Sequence, residues 1–104
     1  MKRLLRIMIT TTLIISFSTV VHAQMGEYKK LNQRIAILYK NGKFVEAIDV
    51  AKEVIKVAEE TFGADHAYVI SSLNNLALIY FQDEQYDNAK QTYEKSLLKT
   101  ENLV

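Results

Sequence analysis

Apolar residues along the chain fall into paired stripes at helical spacing. In the downstream half, Leu73, Leu76, Ala77 and Tyr80 share one face of a 3.6-residue helix. After a short polar break, Tyr86, Ala89, Tyr93, Ser96 and Leu97 share a second face. Two helices so closely connected must fold back on each other as an antiparallel pair. Ala77 and Ala89 carry nothing beyond Cβ, which lets the two backbones approach while aromatic rings fill the space on either side. The upstream half repeats the pattern. Leu31, Ile35 and Leu38 lead into Asn41-Gly42, and Phe44, Ala47, Ala51 and Val54 follow. Leu31 and Leu73, Leu38 and Tyr80, Phe44 and Tyr86, Ala47 and Ala89, and Ala51 and Tyr93 are all separated by the same interval. A fixed period with matching residue types marks a helical repeat.

Four helices follow from this pattern after a lead-in at Gln24–Glu27. They run from about Tyr28 to Lys40, Lys43 to Thr61, His66 to Gln82 and Tyr86 to Glu101. Gly42 is free to take the left-handed conformation that a tight helix connection often needs, and Gly63 ends the second helix. Asp65 is placed to accept hydrogen bonds from the free amides opening the third helix. The second helix should bury Phe44, Ala47, Ile48, Ala51, Val54, Ile55 and Ala58. Its other side, with Glu46, Asp49, Lys52, Glu53, Lys56 and Glu60, reads as a solvated face of mixed charge.

The first 23 residues do not share the pattern. Lys2, Arg3 and Arg6 form a basic start, Ile7 to Val21 is uncharged and mixes aliphatic residues with Thr and Ser, and Val21-His22-Ala23 supplies small residues before a cut between Ala23 and Gln24. Basic, apolar, then small-x-small is the signature of a secretory signal peptide. A retained membrane anchor is the competing reading, since about 20 apolar residues span a bilayer. The short uncharged run, rich in hydroxyls, favours removal. Export to the periplasm or the exterior follows. Without residues 1–23, Lys plus Arg falls from 13 to 10 against 12 acidic residues, and the net charge moves from +1 to −2. The basic balance therefore belongs to the targeting segment, and nothing beyond it has the clustered Lys and Arg of a nucleic-acid binder. With no cysteine there is no disulfide and no lipidated anchor, and with no proline no helix need be broken by one.

Candidate chemistry is sparse. His66 invites reading as a metal ligand or general base, but no second His follows residue 23 and no Cys offers ligand spacing. Packing against the turn between repeats is the better account. Tyr80, Tyr86 and Tyr93 suggest a stacking ladder for a sugar or nucleobase, yet they fall at core spacing and read as core, with hydroxyls at the solvent edge. There is no Ser/His/Asp or Cys/His set, no Gly-rich phosphate loop and no metal cluster, so no catalytic residue, metal or cofactor is assigned.

The units at 28–61 and 70–103, equal in length and each with an alanine after its turn (Ala47 and Ala89), resemble the tetratricopeptide repeat family. Leu31-Asn32-Gln33, Gly63 followed by His66, and the Leu73–Ala77 run look like the longer-period subtype of kinesin light chains and many bacterial proteins. Arg34 departs from that pattern, standing at an apolar position, as do Ile35 at a Gly or Ala position, Glu84 in place of the turn glycine, and Ala67 in place of proline. The resemblance implies an all-α fold: two helix-turn-helix repeats (the second after a link at 62–69) forming a short right-handed α-solenoid over residues 24–104, behind a signal-peptide helix at 1–23.

In that family the first helix of each repeat lines a concave groove that takes a peptide. Carried over, this implies Lys29, Asn32, Gln33, Ala36, Tyr39 and Lys40 from the first repeat, and Ser71, Asn74, Asn75, Leu78, Phe81 and Gln82 from the second. Asparagine offers both donor and acceptor to an extended backbone. Tyr39, Leu78 and Phe81 are not needed by core spacing and are available as anchors. Lys29 and Lys40 suit a carboxylate, although the family's carboxylate clamp uses more basic residues. Asn74 and Asn75 read equally well as hydrogen-bonding residues between helices. Two functions from different classes follow. One is an exported interaction module whose groove binds a peptide or partner protein. The other is a self-associating subunit, because an apolar helix face left open at the end of the second repeat should meet another protein or another copy. Membrane contact would come only through an uncleaved signal segment.

Overall fold

A computed structural model describes the backbone of residues 2–103 and the side chains of Val20 and residues 22–103. Most of the targeting segment expected at 1–23 therefore lies outside the described side chains. The described residues form four α-helices: α1 (Lys2–Lys40), α2 (Phe44–Phe62), α3 (Ala67–Gln82) and α4 (Tyr86–Leu103). Each packs on the next in order, which makes a short all-α solenoid. Among the described residues, no helix is long and apolar enough to cross a membrane.

The helix boundaries follow the repeat closely except at the start. Residues 24–27 belong to α1 rather than to a separate lead-in, because nothing there stops a helix and the lone Gly26 is tolerated. After α1, Gly42 takes φ +72°, and the amide of Lys43 reaches back to the Leu38 carbonyl at 2.9 Å. That left-handed residue closes the helix and aims the chain back along it. At the end of α2, Gly63 takes φ +100°, a value that favours glycine.

The cap of α3 corrects the sequence reading. His66, not Asp65, occupies the capping position, and its Nδ1 accepts the Tyr68 amide at 3.0 Å. Asp65 instead sits 3.6 Å from the Lys99 ammonium, which also donates to the Ala64 carbonyl at 2.7 Å. The acid is drawn toward α4 rather than toward the amides of α3. The His66 ring stacks on Phe62 with centroids 5.1 Å apart. Phe62 and Tyr68 each meet Tyr28, so one aromatic cluster joins α1, α2 and α3.

The core runs along the expected stripes. Ile35 and Leu38 of α1 pack with Ala47, Ile48, Ala51, Val54, Ile55 and Ala58 of α2, and with Val69, Leu73, Leu76 and Ile79 of α3. Phe44 is only half-buried, and Val50 joins the core in addition. The charged residues expected outside on α2 are all exposed. Their spacing allows neighbouring pairs, but among the described residues the ion pair within 4 Å is Lys99–Asp65. Helix α4 differs from the expectation. It buries only Ala89 and Ser96, while Tyr86, Tyr93 and Leu97, read as core, are exposed. Their stripe has the right period but no described element packs over it.

Candidate functional site

Helices α1 and α3 are the first helices of the two repeats, and a groove of about 310 Å³ lies between them. It is lined by Asn32, Ile35, Ala36 and Tyr39 from α1 and by Asn75, Leu78 and Ile79 from α3. The helical period explains this set. Residues 32, 35, 36 and 39 fall at three- and four-residue steps, as do 75, 78 and 79, so each helix offers one continuous strip to the groove. The floor is aliphatic and the polar contribution comes from two amides.

Five of the residues implied by the resemblance come together here: Asn32, Ala36, Tyr39, Asn75 and Leu78. Lys29, Gln33, Lys40, Ser71 and Gln82 are exposed but stand outside the lining. Two residues belong elsewhere. The Asn74 Oδ1 accepts a 2.7 Å hydrogen bond from the Ser96 hydroxyl, which ties α3 to α4. Phe81 meets Tyr86 edge to face with centroids 5.2 Å apart, on the side of the second repeat formed with α4. Two lining residues were absent from the sequence expectation, Ile35 and Ile79. Ile35 read as core and Ile79 fell outside the expected stripe of its helix; both are almost fully buried, so each presents only its edge to the groove. The signal for Ile35 was its bulk at a position where the resemblance expects Gly or Ala.

The two asparagines differ chemically. One amide hydrogen of Asn32 is used on the Tyr28 carbonyl at 3.0 Å, within α1. The Asn75 side chain makes no hydrogen bond among the described residues, which leaves both its donor and its acceptor for a ligand. A strip of aliphatic surface with a free amide at its edge suits an extended peptide. The aliphatic floor is suited to apolar side chains, and the amide to unpaired backbone groups. Among the described residues, no cluster of three His, Cys, Asp or Glu side chains is arranged to hold a metal.

A larger groove of about 470 Å³ lies on the α4 side, lined by Phe81, Tyr86, Ala89, Lys90, Tyr93, Glu94 and Leu97. It is more apolar and contains none of the α1 residues.

Comparison with known proteins returns no match among curated proteins and none among solved structures. A family model described as the tetratricopeptide repeat matches residues 26–97, which takes in all of α2 and α3 with the parts of α1 and α4 that pack on them. With two antiparallel helix pairs repeating at a fixed interval and that match covering more than half of its length, the chain belongs to the tetratricopeptide repeat family.

Proposed function

We propose that the chain is an exported, non-enzymatic binding module that takes an extended peptide segment of a partner protein in the groove between α1 and α3. Membership of the family gives the general part, since tetratricopeptide repeats are protein–protein interaction modules. The observation that carries the specific part is the convergence of Asn32, Tyr39, Asn75 and Leu78, from two repeats, on one groove. Its chemistry selects a ligand with apolar side chains and unpaired backbone groups rather than a highly charged one. Lys29 and Lys40 are exposed outside the lining and would add at most long-range attraction to an acidic ligand. Export rests on Lys2, Arg3 and Arg6, the uncharged stretch from Ile7 to Val21, and Ala23 before Gln24.

Two measurements test the reading. Peptides selected from a random display library on the wild-type protein should lose binding to Leu78→Asp and weaken on Asn75→Ala. Ligands indifferent to both would place recognition on another surface. Intact mass of the protein recovered outside the cytoplasm should begin at Gln24, and full-length protein retained inside the cell would remove the exported part of the proposal.

A further inference from the structure

The second groove has a different character from the first. Phe81, Tyr86, Tyr93 and Leu97 form an apolar stripe, with Lys90 and Glu94 one helical turn apart along it. The chain contains its own template for such a stripe. The equivalent positions one repeat earlier are Tyr39 of α1, which is half-buried at the edge of the first groove, and Phe44, Ala51 and Ile55 of α2, which are half-buried or buried in the core that α2 shares with α3. In the second repeat the corresponding residues stay open, with Phe81, Tyr86 and Leu97 at 52%, 56% and 60% exposure. A face built to the same plan is covered in one repeat and open in the next.

We propose that a second copy of this chain covers the stripe. The two α4 helices pack antiparallel about a two-fold axis near Thr92, with Lys90 of each copy against Glu94 of the other. Charge order along α4 favours this arrangement. One Lys and one Glu symmetric about residue 92 become two opposite-charge pairs when the helix meets itself reversed. Head-to-tail stacking, the other way to use a second copy, is disfavoured by α1. Among the α3 residues buried in the core, Val69, Leu76 and Ile79 have Glu27, Arg34 and Ile37 as their counterparts one repeat earlier, so two of these three positions are charged. Placing α1 of another copy on the stripe would bring Glu27 and Arg34 to the positions that α3 fills with Val69 and Leu76, where charged side chains lose hydration on an apolar face. The two-fold pairing avoids that cost and closes on itself instead of growing a filament. It also leaves the groove between α1 and α3 free, so it stands or falls independently of the peptide-binding proposal.

The test is sedimentation equilibrium on the protein recovered from expression of the full chain, from micromolar to near-millimolar concentration, with circular dichroism to confirm folding. A reversible dimer is expected. Lys90→Glu and Glu94→Lys should each weaken it at least about tenfold by setting like charges across the axis twice, and the double reversal should restore it. Leu97→Asp should abolish it. Because the chain has no cysteine, mixing Lys90→Cys with Glu94→Cys gives an independent reading of geometry. The mixed disulfide should form faster than either variant's own. A monomer at all concentrations, a dimer indifferent to the reversals, or equal disulfide rates would each overturn the proposal.

Discussion

Glu84 occupies the position in the second repeat that Gly42 holds in the first, and it adopts the same left-handed backbone, φ +61° against +72°. The surrounding hydrogen bonds are superimposable in pattern. Gly42 N–H donates to the Tyr39 carbonyl and Lys43 N–H to Leu38. Glu84 N–H donates to Phe81 and Gln85 N–H to Tyr80. Both turns are thus the same helix-ending motif, with the left-handed residue just past the cap and two backward hydrogen bonds closing the last turn. One of them is built with a residue that does not favour the conformation. A left-handed backbone costs a residue with a Cβ roughly 1–2 kcal/mol, and glycine escapes that cost.

Glu84→Gly should therefore stabilise the protein by about 1 kcal/mol, part of the gain being offset by the greater freedom of glycine in the unfolded chain. Gly42→Ala should cost a similar amount. A Cβ at Gly42 meets no atom within 4 Å, so the penalty is one of backbone conformation alone. In a chain of this size, ~1 kcal/mol moves the melting temperature by about 4–8 °C. Thermal unfolding followed by circular dichroism should rank the proteins Glu84→Gly, wild type, Gly42→Ala. A Glu84→Gly protein that melts lower would show that Glu84 makes a compensating interaction.

His66 has two structural roles that substitutions can separate. Its Nδ1 caps α3 through the Tyr68 amide, and its ring stacks on Phe62. His66→Ala removes both and should cost about 1–2 kcal/mol, of which a lost cap contributes about 1. His66→Asn keeps an acceptor at the capping position and loses only the ring, so it should fall between alanine and wild type. Equal melting temperatures for the two variants would mean that the ring, not the cap, carries the residue's effect.

How much was legible in the sequence depended on how local the cause was. The helices, the turns and the buried stripes of α2 and α3 follow from spacing and from Gly42 and Gly63, because neighbours a few residues apart decide them. The cap at α3 was misread by one residue. Asp65 and His66 both accept hydrogen bonds, and the contact that draws Asp65 away comes from Lys99, far along the chain in α4. Tyr86, Tyr93 and Leu97 were misread for another reason. Periodicity shows that residues share a face, but not whether anything packs over it. In the groove, the resemblance named residues of both lining helices. It could not separate Asn74 from Asn75, since adjacent residues on a helix point about 100° apart, and only the position of Ser96 shows which one is occupied.

That separation is testable. Asn74 and Ser96 share a hydrogen bond between α3 and α4, so Asn74→Ala or Ser96→Ala should lower stability by about 1 kcal/mol and leave peptide affinity unchanged. Asn75 lines the groove without a partner of its own, so Asn75→Ala should do the reverse. Melting curves and titration with a selected peptide, run on all three variants, give the comparison. Loss of affinity in Asn74→Ala at unchanged stability would return that residue to the binding surface.

Thr61 offers a stability gain by a different route. Near the end of α2, its hydroxyl oxygen is buried and has no hydrogen-bond partner among the described residues. A buried polar group left unpaired loses its hydration without recovering a bond, at a cost of roughly 1–3 kcal/mol. Valine has nearly the same shape and nothing to satisfy. Both residues are β-branched, so their restriction in a helix is similar. Thr61→Val should therefore raise the denaturant midpoint, by an amount equivalent to about 1 kcal/mol, with the slope of the transition unchanged. A lower midpoint would show that the hydroxyl is satisfied in solution, by water or by the carbonyl one turn earlier in α2.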